Sequence, residues 1–127
     1  MSLLINKCIY TILSTDVQLK SKVGSKIYPL IANENTTFPF IVFKRNSFSV
    51  EYTKDGVLED STQVDIIVAS DNYSDSVEIA DIVRNTLELK KGTFNNINIK
   101  ECKLSSADED FLENTYIQTL SFTITTN

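Results

Sequence analysis

Side chains that carry out chemistry are scarce in this chain of 127 residues. It contains no histidine, which removes the commonest general base, the commonest metal ligand and every Ser-His or Cys-His nucleophile pair. Its two cysteines cannot form a zinc site on their own, and its three glycines are too scattered to form a phosphate-binding loop. We therefore predict a protein that is not an enzyme and has no catalytic, cofactor-binding or metal-binding residues.

Carboxylates are the remaining candidates for acid–base work, and they form two clusters in the sequence. The clusters are Asp55, Glu59, Asp60 and Asp65, and then Asp108, Glu109, Asp110 and Glu113. We interpret both as solvated charge on loops, which is the usual role of acidic runs between structural elements. Cys8 lies in a helical pattern and Cys102 in a strand pattern, so we expect two buried, reduced thiols rather than a disulfide.

Length and charge restrict the class of protein further. A chain of this length fits one domain, residues 1–127. The formal net charge of −5 argues against general binding to nucleic acid or to anionic membranes, since both need clustered Lys and Arg. No apolar run approaches the roughly 18 residues that span a bilayer, and the first residues lack a secretory signal pattern. We expect a cytoplasmic site of synthesis and no membrane partner.

The N-terminal segment has the periodicity of an amphipathic helix. Apolar residues recur at spacings of three and four from Leu4 to Leu13, which predicts a helix from Ser2 to about Ser14 with Ser2 as the N-cap. The segment 17–19 is predicted to be a short turn.

Two prolines mark the beginning of the predicted sheet. Pro29 and Pro39 each border an apolar segment, and proline is tolerated only at the ends or edges of strands. We predict a first strand from about Lys26, a loop at 33–37, and a second strand from Phe40. The alternating Phe48, Val50 and Tyr52 extend the second strand or form a separate arm.

The rest of the chain alternates between strand and helix patterns. Asp55-Gly56 predicts a hairpin turn, followed by a strand at 61–69 and a helix that begins after 70–75. A strand with a β-bulge near 100–101, a polar and acidic loop at 105–114, and a last strand from Tyr116 complete the prediction.

The order of elements predicts an α+β protein. It reads helix, strand, strand, strand, helix, strand, strand, with short loops that favour a mainly antiparallel sheet. Two helices with one apolar stripe each can cover one face of this sheet. We expect the other face to be partly apolar and to serve assembly with other proteins.

Several of these segments, taken in order, resemble a known family. The N-terminal helix, Ile27-Tyr28-Pro29, Phe38-Pro39-Phe40-Ile41-Val42, the second helix and the alternating strand 116–122 are similar to those of bacteriophage tail-completion proteins. The similarity extends to the tail-terminator, or tail-to-head joining, family and covers essentially the whole chain. It implies a phage or prophage structural protein without catalytic residues that forms a hexameric ring, ends tail-tube growth and meets the head connector.

The resemblance also suggests roles for particular residues. A ring subunit needs two different contact surfaces, and we expect Phe48, Val50, Tyr52 and Leu58 to contribute to one of them, unless they fold onto the subunit's own core. The acidic residues Asp108, Glu109 and Asp110 are candidates to face the lumen, where negative charge would keep DNA from sticking.

The expected partners follow from the same resemblance. They are further copies of the chain, monomeric when free or hexameric on the tail, the tail-tube protein and the head-tail connector. The expected location is the virion tail, after assembly in the cytoplasm of a bacterial host. The alternatives are a neck or head-completion protein and, from another class, a small ligand-binding or regulatory module.

Overall fold

A computed structural model describes residues 2–54 and 56–126, and for residues 2, 53, 57 and 58 it describes the backbone alone. A 3-10 helix at Ser2–Leu4 precedes the first α-helix. The helices are α1 (Ile5–Thr15), α2 (Val17–Val23) and α3 (Tyr73–Leu87); the strands are β1 (Ile27–Pro29), β2 (Phe40–Thr53), β3 (Gly56–Ser70), β4 (Gly92–Phe94), β5 (Ile97–Leu112) and β6 (Thr115–Thr126). The predicted α+β class is confirmed.

The N-terminal helix is confirmed, but its start and the segment after it differ from the prediction. Ser2 is not the N-cap, because the 3-10 turn comes first and Leu4 occupies the cap position without a side-chain hydrogen bond. The predicted turn at 17–19 is wrong, since α2 begins there. Asp16 caps this helix: its Oδ1 accepts a hydrogen bond of 2.9 Å from the N–H of Leu19.

A six-stranded sheet is the framework of the protein. Its strand order is β1-β2-β3-β6-β5-β4, and the pairs β2–β3, β3–β6, β5–β6 and β4–β5 are antiparallel, whereas β1 and β2 are parallel. Pro29 ends the edge strand β1, and Pro39 directly precedes β2. The prediction that both prolines lie at strand ends is confirmed, because neither position requires an N–H donor in the ladder.

The predicted acidic loop at 105–114 is wrong. This segment is the second half of β5, which pairs with β6 up to Leu112↔Thr115. A tight turn joins the two strands, with positive φ angles of 51° at Glu113 and 59° at Asn114, as a primed hairpin turn requires. Backbone pairing to an apolar neighbour therefore outweighs the low strand preference of the acidic residues.

The irregularities of the β5–β6 ladder fall near the predicted point and at one further point of β5. The predicted bulge near 100–101 is confirmed by a register shift between Ile99 and Glu101, and a second shift lies between Leu104 and Ser106. The short strand β4, which pairs with the start of β5, was not predicted. The order of elements thus differs from the prediction by the addition of α2 and β4.

The main core lies against one face of the sheet, here called the core face. It carries alternate residues of the two central strands: Val64, Ile66 and Val68 of β3, and Leu120, Phe122 and Ile124 of β6. These residues form one buried cluster with side chains of all three α-helices. The intervening residues, among them Asp65, Ile67, Thr119 and Ser121, define the opposite face.

The expectation of two buried thiols is confirmed, because both cysteines are free and buried. Cys8 Sγ donates a hydrogen bond of 3.0 Å to the carbonyl oxygen of Phe94. Burial raises the pKa of Cys102 to about 12 and also raises the pKa of Cys8, so both thiols are uncharged near neutral pH.

Asp16 joins the two N-terminal helices to α3, which gives a test of this packing. Its Oδ2 accepts a hydrogen bond of 3.0 Å from Thr86 Oγ1, in addition to the cap at Leu19. We expect Asp16→Ala to lower the free energy of unfolding in urea by about 1–2 kcal/mol, while Asp16→Asn keeps most of the stability. Gln18→Ala, at an exposed position of α2, is the control. Equal stability of Asp16→Ala and the unsubstituted protein would contradict the assigned cap.

Candidate assembly surface

The two carboxylate clusters do not converge on a reaction site. In the first cluster, Asp65 is 8% exposed on the opposite face and accepts a hydrogen bond of 2.7 Å from Ser121 Oγ. Glu59 forms an ion pair of 2.9 Å with Lys100, and Asp55 lies outside the described residues. Across residues 2–54 and 56–126, no three His, Cys, Asp or Glu side chains are arranged to hold a metal ion.

The second cluster lies along β5, so its side chains alternate between the two faces. Asp108 pairs with Thr119 and Asp110 with Ile117, which places both on the opposite face. Glu109 pairs with Gln118 on the core face, and all three carboxylates are exposed. The side chains predicted to act together therefore separate into a pair on one face and a single residue on the other.

Glu109 anchors the β5–β6 hairpin to the start of α3. Its Oε2 accepts hydrogen bonds from Tyr73 Oη at 2.9 Å and from Gln118 Nε2 at 3.0 Å. These donors stabilise the ionised carboxyl and lower the pKa of Glu109, with the larger effect from Gln118. The same carboxylate raises the pKa of Tyr73.

Aromatic side chains accompany this polar contact at the hairpin tip. Tyr116 contacts both Phe111 and Tyr73, with ring centroids 4.8 Å and 5.7 Å apart respectively. Phe111 is nevertheless 53% exposed and Leu112 60% exposed. The tip thus presents apolar surface next to the carboxylates of β5.

The arm that the sequence singled out is the far half of the β2–β3 hairpin. Phe48 pairs with Thr62 and Val50 with Asp60, and both apolar side chains are half-buried. Tyr52 is 71% exposed, and the side chain of Leu58 lies outside the described residues. Phe48 and Val50 are absent from the described core cluster and from the apolar residues packed against it.

Among residues 2–54 and 56–126, each side of the sheet has a long strand edge without a neighbouring strand, a feature that the sequence did not predict. β1 covers the outer edge of β2 only at Ile41–Phe43, so residues 44–53 have a partner strand on one side alone. β4 covers β5 only at Ile97–Ile99, which leaves residues 100–112 open in the same way. Such edges carry unpaired backbone donors and acceptors and are templates for another strand.

The two free edges carry charges of opposite sign. The β2 edge begins with Lys44 and Arg45, both exposed, and the β5 edge ends with Asp108, Glu109 and Asp110. The sequence indicates this arrangement only through its charges, which are basic in the segment that forms β2 and acidic in the segment that forms the end of β5.

An apolar groove lies beside the covered part of β2. Its volume is about 390 Å³, and it is lined by residues of α1, the first two strands and the β4–β5 turn: Asn6, Lys7, Tyr10, Thr11, Pro29, Phe43 and Asn95. The ring centroids of Tyr10 and Phe43, two of its lining residues, are 6.4 Å apart. Lys7 is the one charged residue among those that line it.

The fold is shared with a chain of a virion particle. Among the solved structures, a chain of the virion of a native gene transfer agent particle aligns with a TM-score of 0.81 at 16% sequence identity, over 96% of this chain and 93% of that chain. At that identity the similarity establishes the fold. No curated protein sequence matches the chain.

The family is established by the sequence itself. Residues 7–126 match the family described as Tail completion protein gp17, and the chain belongs to this family. It is a structural tail protein of phage type, as the sequence segments had indicated. None of the helices described here is long and apolar enough to cross a membrane.

The contact at Glu109 predicts a pH dependence of the hairpin tip. Because the pKa of Glu109 is lower in the folded protein, the contact stabilises the fold above the ordinary carboxyl pKa and is lost as the pH falls through the lowered value. We expect amide exchange at residues 111–116 to accelerate below about pH 4.5, the ordinary value. Glu109→Gln should remove this acid-dependent step, whereas Asp108→Asn, next to it on the other face, should keep it. An acid-dependent step that persists in Glu109→Gln would contradict the assignment.

Proposed function

We propose that this protein terminates the tail tube and joins the tail to the head by assembling into a ring, without enzymatic activity. The observation that carries the proposal is the pair of free strand edges, one on each side of the same sheet, in a member of the tail completion family. Two different contact surfaces on one subunit allow head-to-tail contacts, and such contacts give a ring when the rotation closes.

The proposed ring has six copies, the number implied by the sequence resemblance. The helices occupy the core face in this arrangement and leave the opposite face for the ring's interior. The tail-tube protein and the head-tail connector are the proposed partners at the two ends of the ring. The proposed location is the virion tail, and assembly takes place in the cytoplasm of the bacterial host.

The arm of Phe48, Val50, Tyr52 and Leu58 is proposed to lie in the contact between subunits. Support comes from the position of Phe48, Val50 and Tyr52 on the free part of β2 and from the exposure of Tyr52. Half-buried apolar side chains outside the described core are stabilised when a second copy covers them, because each then loses its remaining contact with water.

The acidic residues of β5 are proposed to face the lumen through Asp108 and Asp110. Both are exposed and both lie on the opposite face, together with hydroxyl groups such as those of Thr119 and Ser121. Negative and hydroxyl-bearing surface repels the phosphate backbone or binds it weakly, so DNA would pass without adhering. Glu109 is engaged by Tyr73 and Gln118 and contributes less to this surface.

The proposed function predicts a defect in tails made without this protein. Particles that lack it should have tubes of uncontrolled length or tails that fail to join heads, as seen by electron microscopy, and supplying the protein in trans should restore them. Normal joined virions would refute the proposal. Tails of normal length beside unstable capsids would favour a neck or head-completion protein instead. Intact particles with a defect in their response to a ligand would favour a ligand-binding module.

The lumen assignment predicts an effect of charge reversal on DNA passage. We expect Asp108→Lys to assemble into particles that eject DNA more slowly, because a cation lining the passage attracts phosphates. The control, Asp71→Lys, reverses an exposed charge at the end of β3. Unchanged ejection and infectivity of Asp108→Lys would contradict the assignment.

A further inference from the structure

The free edges of β2 and β5 run in opposite directions across the sheet. β3 is antiparallel to both β2 and β6, and β5 is antiparallel to β6, so β5 is antiparallel to β2. When copies stand side by side around a ring, β5 of one copy therefore meets β2 of the next as an antiparallel pair. Antiparallel edges can exchange both sets of backbone hydrogen bonds.

We propose that the ring is held by this strand pair, with Lys44 of one copy directly opposite Asp110 of the next. The proposal rests on the proposed ring and specifies its contact. The occupant of each free edge is thus a second copy of this chain.

The covering strands restrict the register. β1 blocks the edge of β2 before Lys44, and β4 blocks the edge of β5 through Ile99. If the whole free edge of β2 is paired, Lys44 cannot lie opposite Asp108, because Thr53 would then meet the part of β5 that β4 covers. Among later residues, only Asp110 and Leu112 share the face of Lys44.

Charge selects between these two registers. Lys44 opposite Asp110 also places Arg45 opposite Glu109 and Glu51 opposite Lys103, so three pairs of opposite charge form. The register that places Lys44 opposite Leu112 forms none of these three charge pairs. Opposite charges across a strand pair stabilise the pairing, and such pairs favour one register over its neighbours.

The bulges of the two strands are compatible with this register. β2 has one extra residue between Arg45 and Ser47, and β5 has one between Leu104 and Ser106. When Lys44 is opposite Asp110, the paired stretch contains one extra residue in each strand. The register shift caused by one bulge therefore cancels the shift caused by the other. Core-face residues then stay beside core-face residues, with Phe48 next to Ala107 and Val50 next to Leu104.

The apolar groove receives the end of the hairpin in this arrangement. Beyond Asp110 the edge of β2 is taken by β1, so the tip must leave the plane of the sheet. Phe111 points to the core face, the face on which Phe43, Pro29 and Tyr10 line the groove. The exposed ring of Phe111 thus has an apolar recess within reach of its strand.

Disulfide formation tests the register directly. Within one copy, residues 44 and 110 lie on strands three spacings apart, about 14 Å, and Asp110 is also displaced along β5 from Ser106, the residue level with Lys44, so the two are too far apart for a disulfide. We expect the Lys44→Cys, Asp110→Cys double variant to give a ladder of cross-linked copies on non-reducing gels, both as concentrated protein and in purified tails. The matched control is Lys44→Cys, Leu112→Cys, which reports the register shifted by two residues. A ladder from the control rather than from the test variant would overturn the proposal.

Single variants test whether the contact joins two different edges. Lys44→Cys alone should give no cross-linked dimer, and Asp110→Cys alone should give none, but their mixture should give one. A dimer from Lys44→Cys alone would indicate a symmetric contact and overturn the proposal. A cross-link from either single variant to another tail protein in purified tails would also overturn it.

Charge exchange gives an independent readout. Lys44→Asp should weaken self-association roughly tenfold, since it replaces attraction with repulsion at one contact per subunit. Adding Asp110→Lys in the same chain should restore association, whereas Lys20→Asp, at an exposed position of α2, should have no effect. Failure of the exchange to restore association would overturn the pairing.

The outcomes distinguish this contact from the proposed function. Rings on tails without the Lys44–Asp110 cross-link would refute the contact and leave the ring intact. Purified particles that lack the protein altogether would refute the proposed function.

Discussion

The structure depends on the antiparallel pairing of β3 with β6, which joins its two long hairpins. The ladder runs from Asp60↔Thr126 to Ser70↔Tyr116, and its alternate residues supply the centre of the core. Fully burying each large apolar side chain, such as Phe122 or Ile66, contributes about 1.5–3 kcal/mol. A shift of one residue would turn this entire set to the opposite face, so the register is strongly fixed.

That ladder also determines what remains outside the core. The β2–β3 hairpin extends beyond the end of β6 in one direction, and the tip of the β5–β6 hairpin lies at the other end of the sheet. The short strands β1 and β4 cover only three residues each of their neighbours. The same pairing that builds the core therefore leaves two free edges with opposite charge, and these edges are the two contact surfaces of the proposed ring.

The sequence predicted the elements whose side chains alternate or recur with a clear apolar period. The first helix, α3, the strands around Val64 and Phe122 and the positions of both prolines were predictable because local patterns specify them. The second half of β5 was not, since Asp108, Glu109 and Asp110 have low strand preference and are held by pairing with a distant strand. α2 was missed because its helix depends on the cap at Asp16 and on burial of Leu19 and Val23. The free edges result from which strands are neighbours, and no local pattern reports that.

The central claim is that the protein acts as a ring at the end of the tail that meets the head. Labelling purified virions with an antibody against this chain, and locating the label by electron microscopy, tests that claim most directly. The account predicts label at one site per particle, at the junction of tail and head. Label distributed along the tube, or confined to the distal end of the tail, would contradict it.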